Sequence, residues 1–220
     1  MKVPTVIMIA MVLFSFIFTS GCFNGDMAKR DDSSAQNEAY VEDAKAKEEI
    51  DVTFDMVKVI SDTNTMGYKL FEEAYKYMNV PYSFNRRSKE KIDCMGLVFL
   101  TYTNETGKRW QELSVSPKQI VKSGKFGKAV EGFEGVLAEN ADFTKLRVGD
   151  IVYLLFDYKC NNEGETANID GKGYWVWHIG FYAGMHNNQQ YWLEANPGNK
   201  VIIQRMTNQP FHALIVTRYE

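Results

Sequence analysis

The feature that most restricts what this chain can fold into is a change of hydrophobic period near Gly149-Asp150. Before that point apolar residues recur at helical spacing. Leu70, Phe71, Ala74, Tyr75 and Met78 mark a helix over about Thr65–Met78, which Asn79-Val80-Pro81 closes. A second apolar run opens at Cys94 and should stop near Gly107, and Ser116-Pro117 offers a cap and a first-turn proline for a short helix reaching Ser123. The stretch Asp51–Ile60 is ambiguous. After Gly149-Asp150 the runs are of β type: Ile151–Phe156, then about Tyr174–Ala183, Gln190–Ala195, Val201–Met206 and Ala213–Tyr219. Helices followed by consecutive antiparallel strands predict an α+β fold, with a sheet of roughly five strands.

The N-terminus carries a different message. Met1-Lys2 is followed by the apolar run Val6–Phe18 and then by Thr19-Ser20-Gly21-Cys22. That run is too short to cross a bilayer comfortably, and small residues follow where a cleavage site belongs, so residues 1–21 are expected to be an export signal. The ending resembles the lipobox of bacterial lipoproteins, although Thr19 stands where leucine is preferred. Lipidation of Cys22 is favoured over simple secretion, because a cysteine at that spot has no other evident use. The membrane would then be held by lipid chains. Phe23 after Cys22, in place of an aspartate, points weakly to the outer membrane where the source cell has one. Residues 22–50 are rich in Asp, Glu, Lys, Asn and Ser, a tether composition, which leaves 51–220 as one globular domain.

Other classes recede. A net charge of −3 gives no basic bias toward nucleic acid, and no internal repeat is visible. No HExxH or CxxC motif is present, and Asp157, Asn161, Asn162, Glu163 and Glu165 lack calcium-loop spacing, so no metal or other cofactor is expected.

Of the three cysteines, Cys94 and Cys160 remain in the mature domain. Export permits a disulfide between them, but Cys160 lies in a polar loop and reads as an incidental thiol. Cys94 sits where a charged loop gives way to a helix. Amide dipoles at a helix start favour negative charge, and so favour the thiolate. In Trp175–Tyr182, strand alternation puts Trp175, Trp177, Ile179 and Phe181 on a core face, with Val176, His178, Gly180 and Tyr182 on the other. His178 stands beside a glycine that would let a helix-borne thiol approach, whereas His186 and His212 fall in a loop and at a strand edge. A hairpin centred near His186 brings Glu194 opposite His178; a centre one residue later brings Asn196. Both share the parity needed to orient the imidazole. Glu194 is preferred, since Asn196 precedes Pro197-Gly198.

Three ordered blocks, Asp93-Cys94-Met95-Gly96-Leu97-Val98, Leu146–Val152 and His178-Ile179-Gly180-Phe181-Tyr182, resemble the signatures of NlpC-type cell-wall cysteine peptidases of the papain-like superfamily. The resemblance spans about Thr65–Tyr219. It implies a nucleophile at a helix start packed on an antiparallel sheet that supplies the histidine, and hydrolysis of an amide bond in peptidoglycan stem peptides. Transferred by position, Cys94 is the nucleophile, His178 the general base and then acid, and Glu194 the orienting group. The backbone N–H of Cys94 would help hold the oxyanion. Tyr82 matches a tyrosine lining the substrate cleft, and Asp93 a position that helps recognise the substrate's free amine.

The sequence also departs from that pattern. Met95 replaces a serine that takes part in substrate recognition in some members, and Ser83-Phe84-Asn85-Arg86-Arg87 replaces glycines after the loop tyrosine. A glutamate at the orienting position is less usual than histidine or a neutral amide. Taken singly, Cys94 reads as a small buried apolar residue and His178 as a satisfied core histidine. Ordered around the Gly-Asp block they read as a catalytic pair. The tryptophans read as core or cleft wall, and Arg86, Arg87, Lys89 and Lys91 as a solvated loop. An acyl- or amidotransferase, and a catalytically silent cell-wall-binding lipoprotein, are the alternative readings of the same scaffold.

Overall fold

A computed structural model describes residues 64–109, 112, 121–160 and 162–220. The expected signal, Cys22, the tether, the ambiguous 51–60 stretch and the start of the helix from Ser116 lie outside the described residues; its last turn, 121–123, is helical.

Two helices carry the first half. Helix α1 is Met66–Tyr75, opened by Thr65, whose hydroxyl accepts from the Tyr68 N–H at 3.2 Å, and it buries Leu70, Phe71 and Ala74. Helix α2 is Cys94–Thr106, and Gly107 closes it in the left-handed region at φ 68°, where glycine has no Cβ to clash. Leu97, Val98, Phe99, Thr101 and Tyr102 are all buried, so α2 is buried over much of its circumference. Each fully buried Leu or Phe is worth about 1.5–3 kcal/mol.

The eight strands are β1 Lys128–Ala129, β2 Val136–Leu137, β3 Ile151–Phe156, β4 Ala167–Ile169, β5 Lys172–His186, β6 Gln189–Ala195, β7 Val201–Arg205 and β8 Ala213–Arg218. They form one sheet in the order β1-β8-β3-β5-β6-β7, with β2 paired to β8 and β4 to β5, every pairing antiparallel. The chain is thus α+β. The five long strands are the five expected from sequence, and β1, β2 and β4 are too short to leave a periodic signal.

Two irregularities set the register. The β5–β6 turn is Asn187-Asn188, both at positive φ (48° and 58°), the backbone a two-residue hairpin requires and asparagine tolerates. A bulge then skips Ala183, so pairing runs from His186↔Gln189 and Gly184↔Tyr191 to Tyr182↔Trp192 and Phe181↔Leu193. The second bulge lies between β3 and β5: Leu154 faces His178 while Leu155 faces Val176, leaving Trp177 as the extra residue. Strict alternation, which placed Val176 with His178 and Trp177 on the opposite face, fails at this point.

The Gly149-Asp150 turn locks helices to sheet. A Cβ at Gly149 (φ 93°) would sit 2.0 Å from the Gly67 carbonyl oxygen, so only glycine lets the turn meet the start of α1. Asp150 accepts from the Arg147 N–H at 2.8 Å and from Arg218 Nε and Nη2 at 2.8 and 2.7 Å. Among the described residues, no helix is long and apolar enough to cross a membrane.

Candidate active site

Cys94 is the first residue of α2, and the cap before it is built from its neighbours. Asp93, 4% exposed, accepts the Gly96 N–H on Oδ1 at 2.6 Å, while its own N–H donates to the Arg86 carbonyl at 2.8 Å. Gly96 makes that packing possible, because a Cβ there would lie 2.8 Å from Arg86 O and 2.9 Å from Arg87 Cγ. The glycine of the Asp-Cys-Met-Gly block is therefore steric in purpose. Burial pushes the Asp93 carboxyl upward, against the Gly96 and Asn85 amides and the charges of Arg87 and His178.

His178, 2% exposed, lies on β5 next to the bulge. Its Nε2 bonds Oε2 of Glu194 on β6, and the Cys94 thiol also interacts with the ring. With Nε2 engaged, Nδ1 is the nitrogen left for sulfur. Burial alone would lower the His178 pKa, but the Glu194 carboxylate and the Cys94 sulfur outweigh it and hold it well above the ordinary histidine value. Two tryptophans fix the ring plane: Trp177 stacks on it at 5.0 Å and 25°, and Trp192 meets it edge-on at 5.1 Å and 86°. The stack continues outward from Trp177 to Phe156 (4.9 Å, 9°) and to the half-exposed Tyr158 (4.7 Å, 15°).

Glu194 is completely buried. Continuing the β5–β6 register past Phe181↔Leu193 sets Gly180 opposite Glu194 and Asn196 opposite His178. The expected facing of His178 and Glu194 is thus corrected to a diagonal one, in the register that favoured Asn196; yet Glu194 is the residue that reaches the ring. Asn196 instead donates from Nδ2 to Glu194 Oε1 at 3.4 Å. Gly180 serves a different neighbour from the one expected: a Cβ there would lie 2.8 Å from Trp192 Cε3, so the missing side chain makes room for the tryptophan.

Gln204 on β7 and Gln209, just beyond the 3-10 turn Met206–Asn208, were not signalled by the sequence. Gln204 Nε2 donates to Glu194 Oε1, and Gln209 Nε2 donates to both carboxylate oxygens at 3.0 and 3.1 Å. No motif marks a glutamine that reaches a carboxylate on the neighbouring strand. Gln204 does share strand parity with Ile202, the residue facing Glu194, which was the one available hint.

Tyr82 enters from the loop before α2, its N–H bonded to the Asn199 carbonyl at 2.8 Å. Burial, with the negative charges of Cys94, Asp93 and Glu194, raises its hydroxyl pKa, so it stays a neutral hydrogen-bonding group. Tyr82, Asp93, Cys94, His178 and Glu194 therefore converge. Beside the thiol is a small cavity of about 40 Å³ lined by Cys94, Met95, Tyr153, Val176, Trp177, His178 and Ile179, largely apolar and large enough for a methyl group or a water. A larger open cavity of about 320 Å³ along Lys69, Glu72, Tyr75, Lys76 and Glu105 holds no paired nucleophile and base.

The remaining candidates fall elsewhere. Cys94 and Cys160 are not joined in a disulfide, and Cys160 is not a loop thiol in solvent: it is 3% exposed, with Sγ 3.8 Å from the Val176 carbonyl. The His212 ring pairs with Asp157 at 3.0 Å, and His186 lies at the β5–β6 turn. No group of three or more His, Cys, Asp or Glu among the described residues is placed to hold a metal ion.

No family model and no curated protein matches the sequence. Solved structures similar to the chain include the NlpC/p60 domain of the peptidoglycan hydrolase SagA, 16% identical over 69% of this chain and 97% of that one, with a TM-score of 0.42. NlpC1 from Trichomonas vaginalis is 20% identical over 74% of this chain and 47% of that one, at 0.48. An N-acetylmuramoyl-L-alanine amidase from Bacteroides uniformis is 12% identical over 70% and 99%, at 0.43.

Proposed function

We propose that this chain is a cysteine hydrolase that cleaves an amide bond in peptidoglycan stem peptides. The observation that carries the reading is the placement of a helix-start thiol, Cys94, beside a buried His178 whose far ring nitrogen is held by a buried carboxylate, Glu194. That is the nucleophile, base and orienter arrangement of acyl transfer.

The chemistry follows from the charges. With His178 held as an imidazolium, the Cys94 thiolate attacks the substrate carbonyl carbon, and the Cys94 N–H at the start of α2 donates to the developing oxyanion. As the tetrahedral adduct collapses, His178 gives its proton to the leaving amine and a thioester remains on Cys94. Water then attacks the thioester while His178 takes its proton. Release of the carboxylate product restores thiolate and imidazolium. Tyr82 supplies a neutral donor beside the sulfur, and Asp93 an acceptor for a substrate amine. The peptidoglycan substrate rests on the resemblance of the three sequence blocks. Residues 1–21 act as an export signal, Cys22 carries the lipid, and residues 51–220 form the catalytic domain on the exported side of the membrane.

The test is to incubate the chain with defined stem peptides and intact peptidoglycan and to read fragments by mass spectrometry beside Cys94→Ala. New amine and carboxylate termini that depend on Cys94 are expected. Identical fragments from the two proteins would refute the reading.

A further inference from the structure

The catalytic reading leaves unexplained why a carboxylate sits where a neutral amide would suffice, in a place with no access to water. We infer that Gln209 and Gln204 are positioning residues that hold the Glu194 carboxylate against His178 and so keep the transferable proton on the ring. This rests on the proposed reading of Cys94, His178 and Glu194.

The hydrogen bonds all run one way. Glu194 presents Oε2 to His178 Nε2 and receives three carboxamide donors: Gln204 Nε2 and Asn196 Nδ2 (3.4 Å) on Oε1, and Gln209 Nε2 on Oε1 and Oε2 at 3.0 and 3.1 Å. Gln204 is itself oriented, since Asn208 Nδ2 donates to Gln204 Oε1 at 3.2 Å and so leaves the Gln204 amino group for the carboxylate. A donor chain thus leads from Asn208 through Gln204 to Glu194.

The physical need for it is plain. A fully buried carboxylate stripped of water is costly unless its lone pairs are taken by donors. Carboxamides are suited to the task because they donate without titrating, so they add no charge of their own beside the ion pair. Each donor occupies a carboxylate lone pair, and so favours leaving the shared proton on the imidazole side of the His178–Glu194 contact. The titratable groups around His178 are Glu194 on β6, Cys94 and Asp93 at the start of α2, Tyr82 beside them, and Tyr153 on β3, which lines the same small cavity. None of these donates to Glu194 in place of the amides.

The experiment reads the charge on the ring, not turnover alone. The full chain is labelled with ¹⁵N-histidine, and the His178 ring signals, assigned by their loss in His178→Gln, are recorded at pH 7 for wild type, Gln209→Ala, Gln204→Leu and Glu194→Gln. Gln209 lies in a partly exposed loop, so Gln209→Ala tests the idea where Gln204→Leu fails to fold. Wild type is expected to show a doubly protonated ring. Gln209→Ala should show ring nitrogens displaced toward the neutral form, with kcat on the stem peptide down on the order of ten-fold and KM unchanged. In the Glu194→Gln background the same Gln209→Ala change should alter neither the ring signals nor kcat. Ring signals identical in wild type and Gln209→Ala, or an equal effect with and without Glu194, would overturn the inference. A wild-type chain inert toward stem peptides refutes the substrate reading and leaves the ring measurement to decide this one.

Discussion

Gly180 and Trp192 fit each other: Cε3 of the tryptophan ring would lie only 2.8 Å from a β-carbon at position 180. Leu193 O would be 2.7 Å from the same atom, so backbone as well as side chain resists the change. Gly180→Ala should therefore destabilise the domain by about 1–3 kcal/mol through overpacking and push Trp192 off the His178 edge. Urea unfolding checks the first effect and near-ultraviolet circular dichroism the second. An unshifted midpoint with an unchanged aromatic spectrum would contradict it.

Asp93 caps α2, and the substrate-binding role proposed for its carboxylate is separable from that one. Asp93→Asn preserves a cap acceptor and should leave stability within about 0.5 kcal/mol, whereas Asp93→Ala should cost about 1 kcal/mol. If the carboxylate binds a substrate amine, both variants raise KM, and Asp93→Asn does so without moving the unfolding midpoint. Paired kinetics and denaturation separate the roles.

Glu194→Gln keeps the shape of the orienting group and removes its charge. The buried imidazole then loses the anion that holds its proton, and kcat is expected to fall at least about 100-fold, the scale of a lost general acid or base. Alkylation of Cys94 at pH 6–7 should slow in parallel, because the ring beside the sulfur then carries less positive charge. A variant alkylated as fast as wild type would separate Glu194 from the chemistry.

The raised His178 pKa also has a stability signature. Its folded-state value lies above its unfolded value of about 6.5, so the folded chain holds this proton more tightly. The stabilisation is fully present below pH 6.5 and is lost as pH rises through the elevated folded value. Urea midpoints measured upward from pH 6 should fall for wild type, and the fall attributable to this group should vanish in His178→Gln. Parallel curves for the two proteins would rule out the assignment.

Much of the site was legible in the sequence because it rests on local signals. Asp93 before an apolar run is an N-cap, Gly107 a helix stop, and the β-type runs gave all five long strands. Cys94 and His178 followed from position and order. What escaped were the features set by irregular backbone and long reach. A bulge at Trp177 turned an expected core residue onto the His178 ring, and a two-residue turn with a second bulge shifted the hairpin so that Glu194 meets His178 on the diagonal. Periodicity assumes one residue per step and cannot register an inserted one. Gln209 carried no signal and Gln204 only its strand parity, since an amide's partner depends on which strands become neighbours; Asn196, the alternative orienter, donates to Glu194 instead of meeting the ring. Cys160 was misjudged for a similar reason: polar neighbours in sequence say little about a side chain tucked under β5.

The amides that surround Glu194 come from the last part of the chain, beyond the strand that carries His178, while the thiol lies far upstream on α2. A chain emerging from its N-terminus thus exposes Cys94 long before the residues that hold its base in place have been made. Until β7 and the turn after it have docked, the contacts that hold Glu194 against His178 are incomplete, so the arrangement beside the sulfur arrives only with the finished sheet.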